Sequence, residues 1–279
     1  MRTSTTRDDL LIEVDLGPRA RGYFTTRGTG APSVPEATTG PSAGEGDYAG
    51  LNLAAHVGDD PARVAASRAL LEDALGLERG GIAWMNQVHS ATVARAVPGD
   101  VPTADALLLD TRGAGPRPQA AAVLVADCVP VLLASDDGAV VAAVHAGRKG
   151  MLDGVVEAAL GAMAEAGVEP CAVHAAIGPC VCGRCYEVPE DMRAEAGLIE
   201  PTSASTTSWG TPALDVAAGV LAQLERSGVT SITRTGLGAH AGEGPWCTLE
   251  DERFYSYRRD GVTGRIAGVV VAAPRVGRG

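Results

Sequence analysis

The amino-acid sequence predicts an α+β protein, a single layered domain in which helices cover mixed β-sheets. Several short runs are apolar at consecutive positions, which is typical of strands buried on both faces. Hairpin-like pairs, such as 131–133 and 140–144 joined by Ser-Asp-Asp-Gly, alternate with helical patterns and argue against a doubly wound parallel sheet. The 279 residues are 46% hydrophobic, which suffices for a sizeable core. With 3 Trp, 5 Tyr and 2 Phe, that core must consist mainly of Ala, Val, Leu and Ile.

The predicted elements follow from local patterns along the chain. Helical spacing begins after Asp60-Pro61, a capping residue and a first-turn proline, and extends to residue 77; it recurs at 150–166, 189–196 and 215–227. Strand-like runs cover residues 10–14, 82–88, 104–109, 121–126, 130–134, 140–145, 172–177, 231–234 and 264–273. Segments rich in Gly, Pro, Ser and Thr predict loops at 28–50, 111–119 and 200–213, the first of them a mobile surface loop. Because strand-like runs continue on both sides of each loop, we expect residues 1–279 to form one domain.

The charge and the chain's first residues exclude several functional classes. A formal net charge of −11 makes the chain a poor non-specific binder of nucleic acid or anionic membranes. The N-terminal segment lacks the apolar region of a signal peptide, and no run of about 18 uncharged apolar residues predicts a membrane span. We therefore expect a cytoplasmic protein. In a reducing cytosol its 6 cysteines are free thiols or metal ligands rather than disulfides.

Three polar residues stand at the ends of apolar strand-like runs: His89, Cys128 and His145. Side chains at strand ends can converge over one sheet edge. Two imidazoles and a thiolate suit Zn²⁺, with a fourth position left for water or substrate. A nucleophilic Cys128–His145 pair without metal is an alternative, and so are hydrogen-bonded structural histidines with an inert buried thiol. The spacing alone leaves these readings open.

Short motifs along nearly the whole chain resemble a known family. They are FTTR at 24–27, YAGLNL at 48–53, HVGDDP at 56–61, NQVH at 86–89, TADAL at 103–107, ADCVPVL at 126–132, AVHAG at 143–147, AIGPC at 176–180, CYEV at 185–188 and YSYRRDG at 255–261. Each motif is weak alone, but their joint order is specific. The chain resembles the YfiH-like family, also called the multicopper polyphenol oxidase or laccase-domain family, whose members act as purine nucleoside phosphorylases.

The resemblance implies a metal site and an activity. It implies that His89, Cys128 and His145 bind zinc, with copper less suitable because one such site lacks the several coppers that four-electron O₂ reduction requires. It implies a monomeric enzyme that phosphorolyses adenosine, inosine and methylthioadenosine, with adenosine deamination as a companion activity. Rival functions are an editing hydrolase of peptidoglycan precursors, a metal-free Cys-His hydrolase and a non-catalytic metal-binding protein.

Further site residues are expected from what phosphorolysis requires. Guanidinium groups match phosphate oxygens, which makes phosphate ligands of Arg27, Arg148 and Arg259, unless they form surface ion pairs. Gln87 and Asn52 are predicted to contact the purine or ribose, or else to hydrogen-bond within turns. Asp127 either orients a ligand histidine or satisfies backbone amides, and Asp105 carries the same two alternatives. His56, just before the first predicted helix, is predicted to be structural. Cys180 or Cys185 is expected to line the active site.

Two departures from the family pattern and one cysteine cluster complete the predictions. Arg148-Lys149 replaces the Trp-Arg that usually follows His-Ala-Gly, and Ser90 replaces the glycine after QVH. The run Cys180-Val-Cys182-Gly-Arg-Cys185 could bind a metal. Because the nearest further ligands in sequence are Cys171 and His174, we expect no second metal site there.

Overall fold

A computed structural model describes residues 10–28, 46–112, 118–235 and 246–273. In this part of the chain the strands are β1 (Leu11–Val14), β2 (Arg21–Thr25), β3 (Ile82–Ala83), β4 (Val93–Arg95), β5 (Ala106–Asp110), β6 (Ala120–Val125), β7 (Val129–Ser135), β8 (Val140–Ala146), β9 (Val173–Ile177), β10 (Ala204–Thr206), β11 (Pro212–Leu214), β12 (Ser231–Arg234) and β13 (Ile266–Val271). The α-helices are α1 (Pro61–Leu75), α2 (Arg148–Leu152), α3 (Val155–Glu165), α4 (Glu190–Ile199), α5 (Val216–Arg226) and α6 (Tyr257–Asp260).

The strands form two large mixed sheets and a short ribbon. One sheet has the order β1-β2-β13-β6-β3, the other has the order β12-β9-β7-β8-β5-β4, and β10 pairs with β11. Most neighbouring strands are antiparallel, whereas β3–β6, β4–β5 and β9–β12 are parallel. The predicted α+β class with mixed sheets is thereby confirmed.

The two sheets pack face to face between layers of helix. Along β8, Val140, Ala142 and Val144 join a core shared with α2, α3 and α5. The alternate residues Val141 and Ala143 face the five-stranded sheet in a second core. The outer face of the five-stranded sheet packs on α1 in a third. Because side chains alternate across a strand, a run that is apolar at every position satisfies both faces.

The observed helices and strands differ from the predicted ones where tertiary contacts determine the local structure. Only Ile82–Ala83 of the predicted strand 82–88 pairs continuously, because the chain then turns into the loop that carries His89. Gly154, at φ +84°, divides the predicted helix 150–166 into α2 and α3. The predicted loop 200–213 contains β10 and the start of β11. The predicted loop 28–50 falls mostly on residues 29–45, and the turn 111–119 partly on 113–117, outside the described residues.

The first predicted helix starts as expected. Asp60 caps α1 by accepting a hydrogen bond from the Ala62 N–H at 2.8 Å, with Pro61 in the first turn. Of the helices described, none is both long and apolar enough to cross a lipid bilayer.

Candidate active site

Three donor side chains converge at one end of the six-stranded sheet. Cys128 immediately precedes β7 and His145 lies near the end of β8; since these strands are antiparallel, the two positions share one sheet edge. His89 reaches them from the loop after β3. The three ligand atoms lie within 4.8 Å of one another. His89 Nε2 is 3.7 Å from Cys128 Sγ, and the two imidazole rings meet edge to face with centroids 4.7 Å apart.

A buried carboxylate, Asp105, fixes both histidines. His145 Nδ1 is 2.8 Å from Asp105 Oδ1, which leaves His145 Nε2 for a metal. Asp105 also accepts hydrogen bonds from the backbone N–H groups of Val88, His89 and Ser90 at 3.2, 2.9 and 2.6 Å, and from Ser90 Oγ at 2.7 Å. These bonds stabilise the left-handed backbone of His89, at φ +60°. Asp105 therefore fills both roles that the sequence offered as alternatives, since it bonds a histidine and also satisfies backbone amides.

The electrostatics of the cluster favour a thiolate beside an imidazolium. Burial raises the pKa of Cys128, but the charges and hydrogen bonds of His145 and His89 outweigh it and lower that pKa to about 6. Burial lowers the pKa of His145, yet the thiolate and the Asp105 carboxylate raise it to about 9. Asp105 itself would be raised by burial, but its hydrogen bonds from His145 and Ser90 hold its pKa well below the usual value.

The cluster opens into a cavity of about 640 Å³, within the range of small-molecule sites. Its wall includes three cationic side chains, Arg148, Arg258 and Arg265. Its other polar and aromatic lining residues are His56, Gln87, Asp127, Tyr186 and Tyr257. Three positive charges around one cavity of an acidic protein favour an anionic ligand.

The structure places only one of the three predicted phosphate ligands at the cavity. Arg148 lines it at the start of α2. Arg27 lies outside it, hydrogen-bonded to the Ala49 carbonyl at 3.2 Å and stacked over the Tyr255 ring. Arg259 also lies outside; it donates to backbone carbonyls of the 248–254 segment and to its neighbour Asp260. The prediction for Arg27 and Arg259 does not fit these positions, whereas Arg258 and Arg265 were missed.

Two amides predicted at the substrate are engaged within the protein. Asn52 is buried, and its Oδ1 accepts from the N–H groups of Ala54 and Arg265, both at 3.0 Å. Gln87 lines the cavity, but its amide pairs with both backbone groups of Leu124 at 2.7 and 2.8 Å. The Asn52 bond positions the backbone of Arg265, and the Gln87 bonds anchor the 84–90 loop to β6. Both amides therefore fill the second role predicted for them, hydrogen bonding within the protein.

Asp127 positions the cationic wall rather than a histidine. At φ +94°, it accepts from the Thr248 hydroxyl and from the Arg258 N–H, both at 2.7 Å. Cys180 is buried outside the cavity lining, and burial, followed by nearby negative charges, raises its thiol pKa well above the usual value. The expectation that Cys180 or Cys185 lines the site is therefore wrong, since neither is among the residues that line the cavity. His56, predicted to be structural, lies on the cavity wall.

The cluster fits a metal of the zinc type. Two imidazole nitrogens and one thiolate are zinc ligands that leave an open position, and a carboxylate behind a ligand histidine is the usual support. The backbone at Gly147 closes against the ligands: a Cβ there would lie 2.7 Å from His89 Cδ2 and 3.1 Å from Cys128 Sγ. A side chain at position 147 would therefore displace the donors.

Curated proteins similar to this chain share one activity in their names. Residues 36–273 match the family model of the multi-copper polyphenol oxidoreductase laccases. A purine nucleoside phosphorylase of Streptomyces coelicolor is 49% identical over 251 residues, 88% of this chain and 93% of the relative. Another, from Corynebacterium glutamicum, is 43% identical over 263 residues, 91% of this chain and 96% of the relative.

Solved structures share the fold. A Neisseria meningitidis protein superposes with a TM-score of 0.76 at 32% identity, covering 95% of this chain and 99% of its own. The Bacillus licheniformis protein YfiH superposes with a TM-score of 0.77 at 23% identity, covering 95% and 97%. The resemblance drawn from the sequence motifs is thus confirmed.

Proposed function

Because the chain belongs to the multi-copper polyphenol oxidoreductase laccase family, whose similar curated members are named purine nucleoside phosphorylases, we propose that it is a zinc-dependent phosphorylase of purine nucleosides. Its substrates are adenosine, inosine and methylthioadenosine, and its products are the free base and the ribose 1-phosphate. The observation that carries this proposal is the cavity itself, where a two-histidine, one-cysteine cluster shares a wall with three arginines.

Phosphorolysis sets three tasks for these residues. The C1′–N9 bond breaks, a phosphate oxygen bonds to C1′, and the purine departs with a proton. Zinc held by His89, Cys128 and His145 would supply a Lewis acid toward an oxygen of phosphate or substrate. Arg148 and Arg258 supply charge to hold the phosphate, and guanidinium groups bind its oxygens in pairs. Three cations also offset the cost of placing a phosphate dianion in an acidic protein.

The remaining lining residues suit the nucleoside. Tyr257 lines the cavity and offers a planar purine an aromatic ring on which to stack, whereas the Tyr186 ring already carries the Arg258 guanidinium 4.8 Å from its centroid. The pKa of His56 is lowered mainly by burial and further by the charges of Arg265 and Arg68, so its ring is neutral at pH 7. A neutral imidazole can donate or accept one hydrogen bond, which suits contact with the leaving base.

Adenosine deamination is included as a companion activity. Zinc held by the same three residues would supply the chemistry that activates water for attack at purine C6, from which ammonia leaves, when adenosine binds with its base toward the cluster. This needs a second orientation of the nucleoside and adds no residue to the site.

One geometric feature favours a rival, the metal-free Cys-His hydrolase. Cys128 lies close to both imidazoles, and its pKa of about 6 makes it a thiolate at neutral pH. A nucleophile of this kind would work without zinc and would be blocked by alkylation. An editing hydrolase of peptidoglycan precursors would use the same cavity and release product with water rather than phosphate.

The test combines metal analysis with a nucleoside panel. Protein purified without added zinc is assayed for bound metal, then for base release from adenosine, inosine and methylthioadenosine across phosphate concentrations. We expect base release that rises with phosphate and is lost in His145→Ala and after chelation. Base release that neither chelation nor phosphate changes would support the metal-free hydrolase, and release that does not depend on phosphate would contradict phosphorolysis.

A further inference from the structure

Two turns on different segments bring a second set of metal-binding side chains together. Cys182 and Cys185 lie in the loop between β9 and α4, and Cys247 and Glu250 lie before α6. The ligand atoms of all four side chains lie within 4.8 Å of one another. Each turn presents its pair with the same spacing, three residues apart. The sequence had offered Cys171 and His174 as the nearest further ligands, but Cys171 belongs to neither cluster and His174 pairs with Asp136.

The backbone of both turns is wrapped around the sulfur atoms in the same way. The Cys185 N–H donates to the Cys182 carbonyl at 2.9 Å, and the Glu250 N–H donates to the Cys247 carbonyl at 3.1 Å. In each turn a backbone N–H group also points at the sulfur of the first cysteine. The Arg184 N–H faces Cys182, and the Leu249 N–H faces Cys247. Both turns therefore close with the same backbone hydrogen bond, which holds the two ligands of each pair side by side.

The two turns are also joined to each other. The Cys182 N–H donates to Cys247 Sγ at 3.4 Å, and the Thr248 N–H donates to the Cys180 carbonyl at 3.1 Å. Cys185 and Cys247 are buried, 2% and 1% exposed, while Glu250 closes the cluster at the surface. The arrangement is a closed set of four ligands, unlike the open set of three at the cavity.

We propose that Cys182, Cys185, Cys247 and Glu250 form a second, structural zinc site. Three thiolates and one carboxylate make up a four-ligand tetrahedral set, which structural zinc sites use. With Zn–S bonds of about 2.3 Å, neighbouring sulfur atoms of a tetrahedron stand roughly 3.8 Å apart. Sulfur atoms that lie up to 4.8 Å apart would therefore have to approach each other by about 1 Å, which side-chain rotation can supply.

The position of this site suggests what it holds in place. Val181 and Tyr186, on either side of the first turn, line the cavity. Thr248, next to Cys247, donates to Asp127, which in turn accepts from the N–H of Arg258. Zinc at the cluster would tie the two segments behind the cavity wall to each other. This proposal is independent of the reaction at the cavity, since it concerns a separate set of ligands.

The test uses a variant that leaves the four-ligand cluster untouched. Cys128→Ala removes a ligand at the cavity, so any zinc that survives dialysis belongs elsewhere. By mass-spectrometric metal analysis, we expect wild type to hold two zinc ions per chain and Cys128→Ala to hold one. Adding Cys185→Ser to Cys128→Ala should remove the last ion, whereas adding Cys171→Ser, a cysteine outside both clusters, should leave it.

Cobalt substitution gives a second measurement that needs no change in the cluster. Cobalt-loaded Cys128→Ala protein should show the thiolate-to-cobalt charge-transfer bands and the intense visible bands of a tetrahedral site. Loss of one zinc in both Cys185→Ser and Cys128→Ala would support two sites. Absence of zinc and of thiolate–cobalt bands in Cys128→Ala would overturn the proposal, and so would a Cys182–Cys247 disulfide found in freshly purified protein.

Discussion

Asp105 is the residue on which both histidines of the cavity cluster depend, so replacing it with asparagine should loosen the whole site. The side chain is fully buried and accepts from three backbone N–H groups, one hydroxyl and one imidazole nitrogen. Asp105→Asn keeps the shape and one acceptor oxygen. Its NH₂ group, however, would face N–H donors that the second carboxylate oxygen now satisfies.

The expected loss can be worked from these contacts. A buried donor left without its acceptor costs about 1–3 kcal/mol, and breaking a buried charged pair costs about 3–5 kcal/mol. Because the contacts share one side chain and are not additive, we expect Asp105→Asn to lower the free energy of unfolding by roughly 3–5 kcal/mol. Loss of the carboxylate behind His145 should also weaken zinc binding about 10–100-fold.

Denaturant unfolding and zinc competition against a chelator measure the two effects. The matched control is Asp136→Asn, which removes a carboxylate bonded to His174 at 2.7 Å on the surface, where Asp136 is 67% exposed. That exposed pair should contribute less than about 1 kcal/mol and should leave zinc affinity unchanged. Wild-type stability together with wild-type zinc affinity in Asp105→Asn would refute the positioning role of Asp105.

Three further predictions follow from single contacts. Arg148→Ala should raise the phosphate KM roughly tenfold or more, because a charged hydrogen bond is worth about 1.5–3 kcal/mol; an unchanged KM in phosphate titrations would exclude phosphate contact. Gly147→Ala should weaken zinc binding because its Cβ would meet the ligands at 2.7 and 3.1 Å, whereas Gly161→Ala, with open space around its Cβ, should not. The buried Glu200 carboxylate is held by Arg226 at 2.8 Å, and although burial raises its pKa, hydrogen bonds from Arg226 and Thr202 hold that pKa below the usual value. Its stabilisation should be fully present above the unfolded pKa and be lost as pH falls through the lower folded pKa. In denaturant unfolding, the stability lost in Glu200→Gln should therefore be largest at pH 7 and shrink as pH falls below about 4.3; a loss that does not change with pH would contradict this role.

The convergence of Cys128 and His145 could be predicted because it depends on short-range patterns. Strands β7 and β8 are successive apolar runs joined by a tight turn, so the residues just before one and near the end of the other share a sheet edge. That geometry places Cys128 beside His145. For Asp105, the sequence leaves two roles open, orienting a histidine or satisfying backbone amides, because its contacts depend on how the loop bearing His89 folds over β5.

The cationic wall could not be predicted, because long-range contacts select its members. Arg258 and Arg259 are neighbours in one motif, yet only Arg258 faces the cavity. The Asp127 carboxylate, 131 residues away, accepts the Arg258 N–H, and Arg259 turns to backbone carbonyls. Strand β2 was also not predicted, because Arg21 and Gly22 weaken the apolar strand pattern there. Its pairing with β1 and β13 nevertheless makes this segment a strand.

The source of the oxygen that becomes bonded to C1′ tests the proposed reaction most directly. Inosine is incubated with zinc-loaded protein and phosphate in water enriched in oxygen-18, and the sugar product is examined by mass spectrometry. Phosphorolysis predicts ribose 1-phosphate without oxygen-18 at C1, formed at the same rate as hypoxanthine and absent with His145→Ala. Free ribose formed with hypoxanthine in place of ribose 1-phosphate, or no base release from wild type, would contradict the assignment.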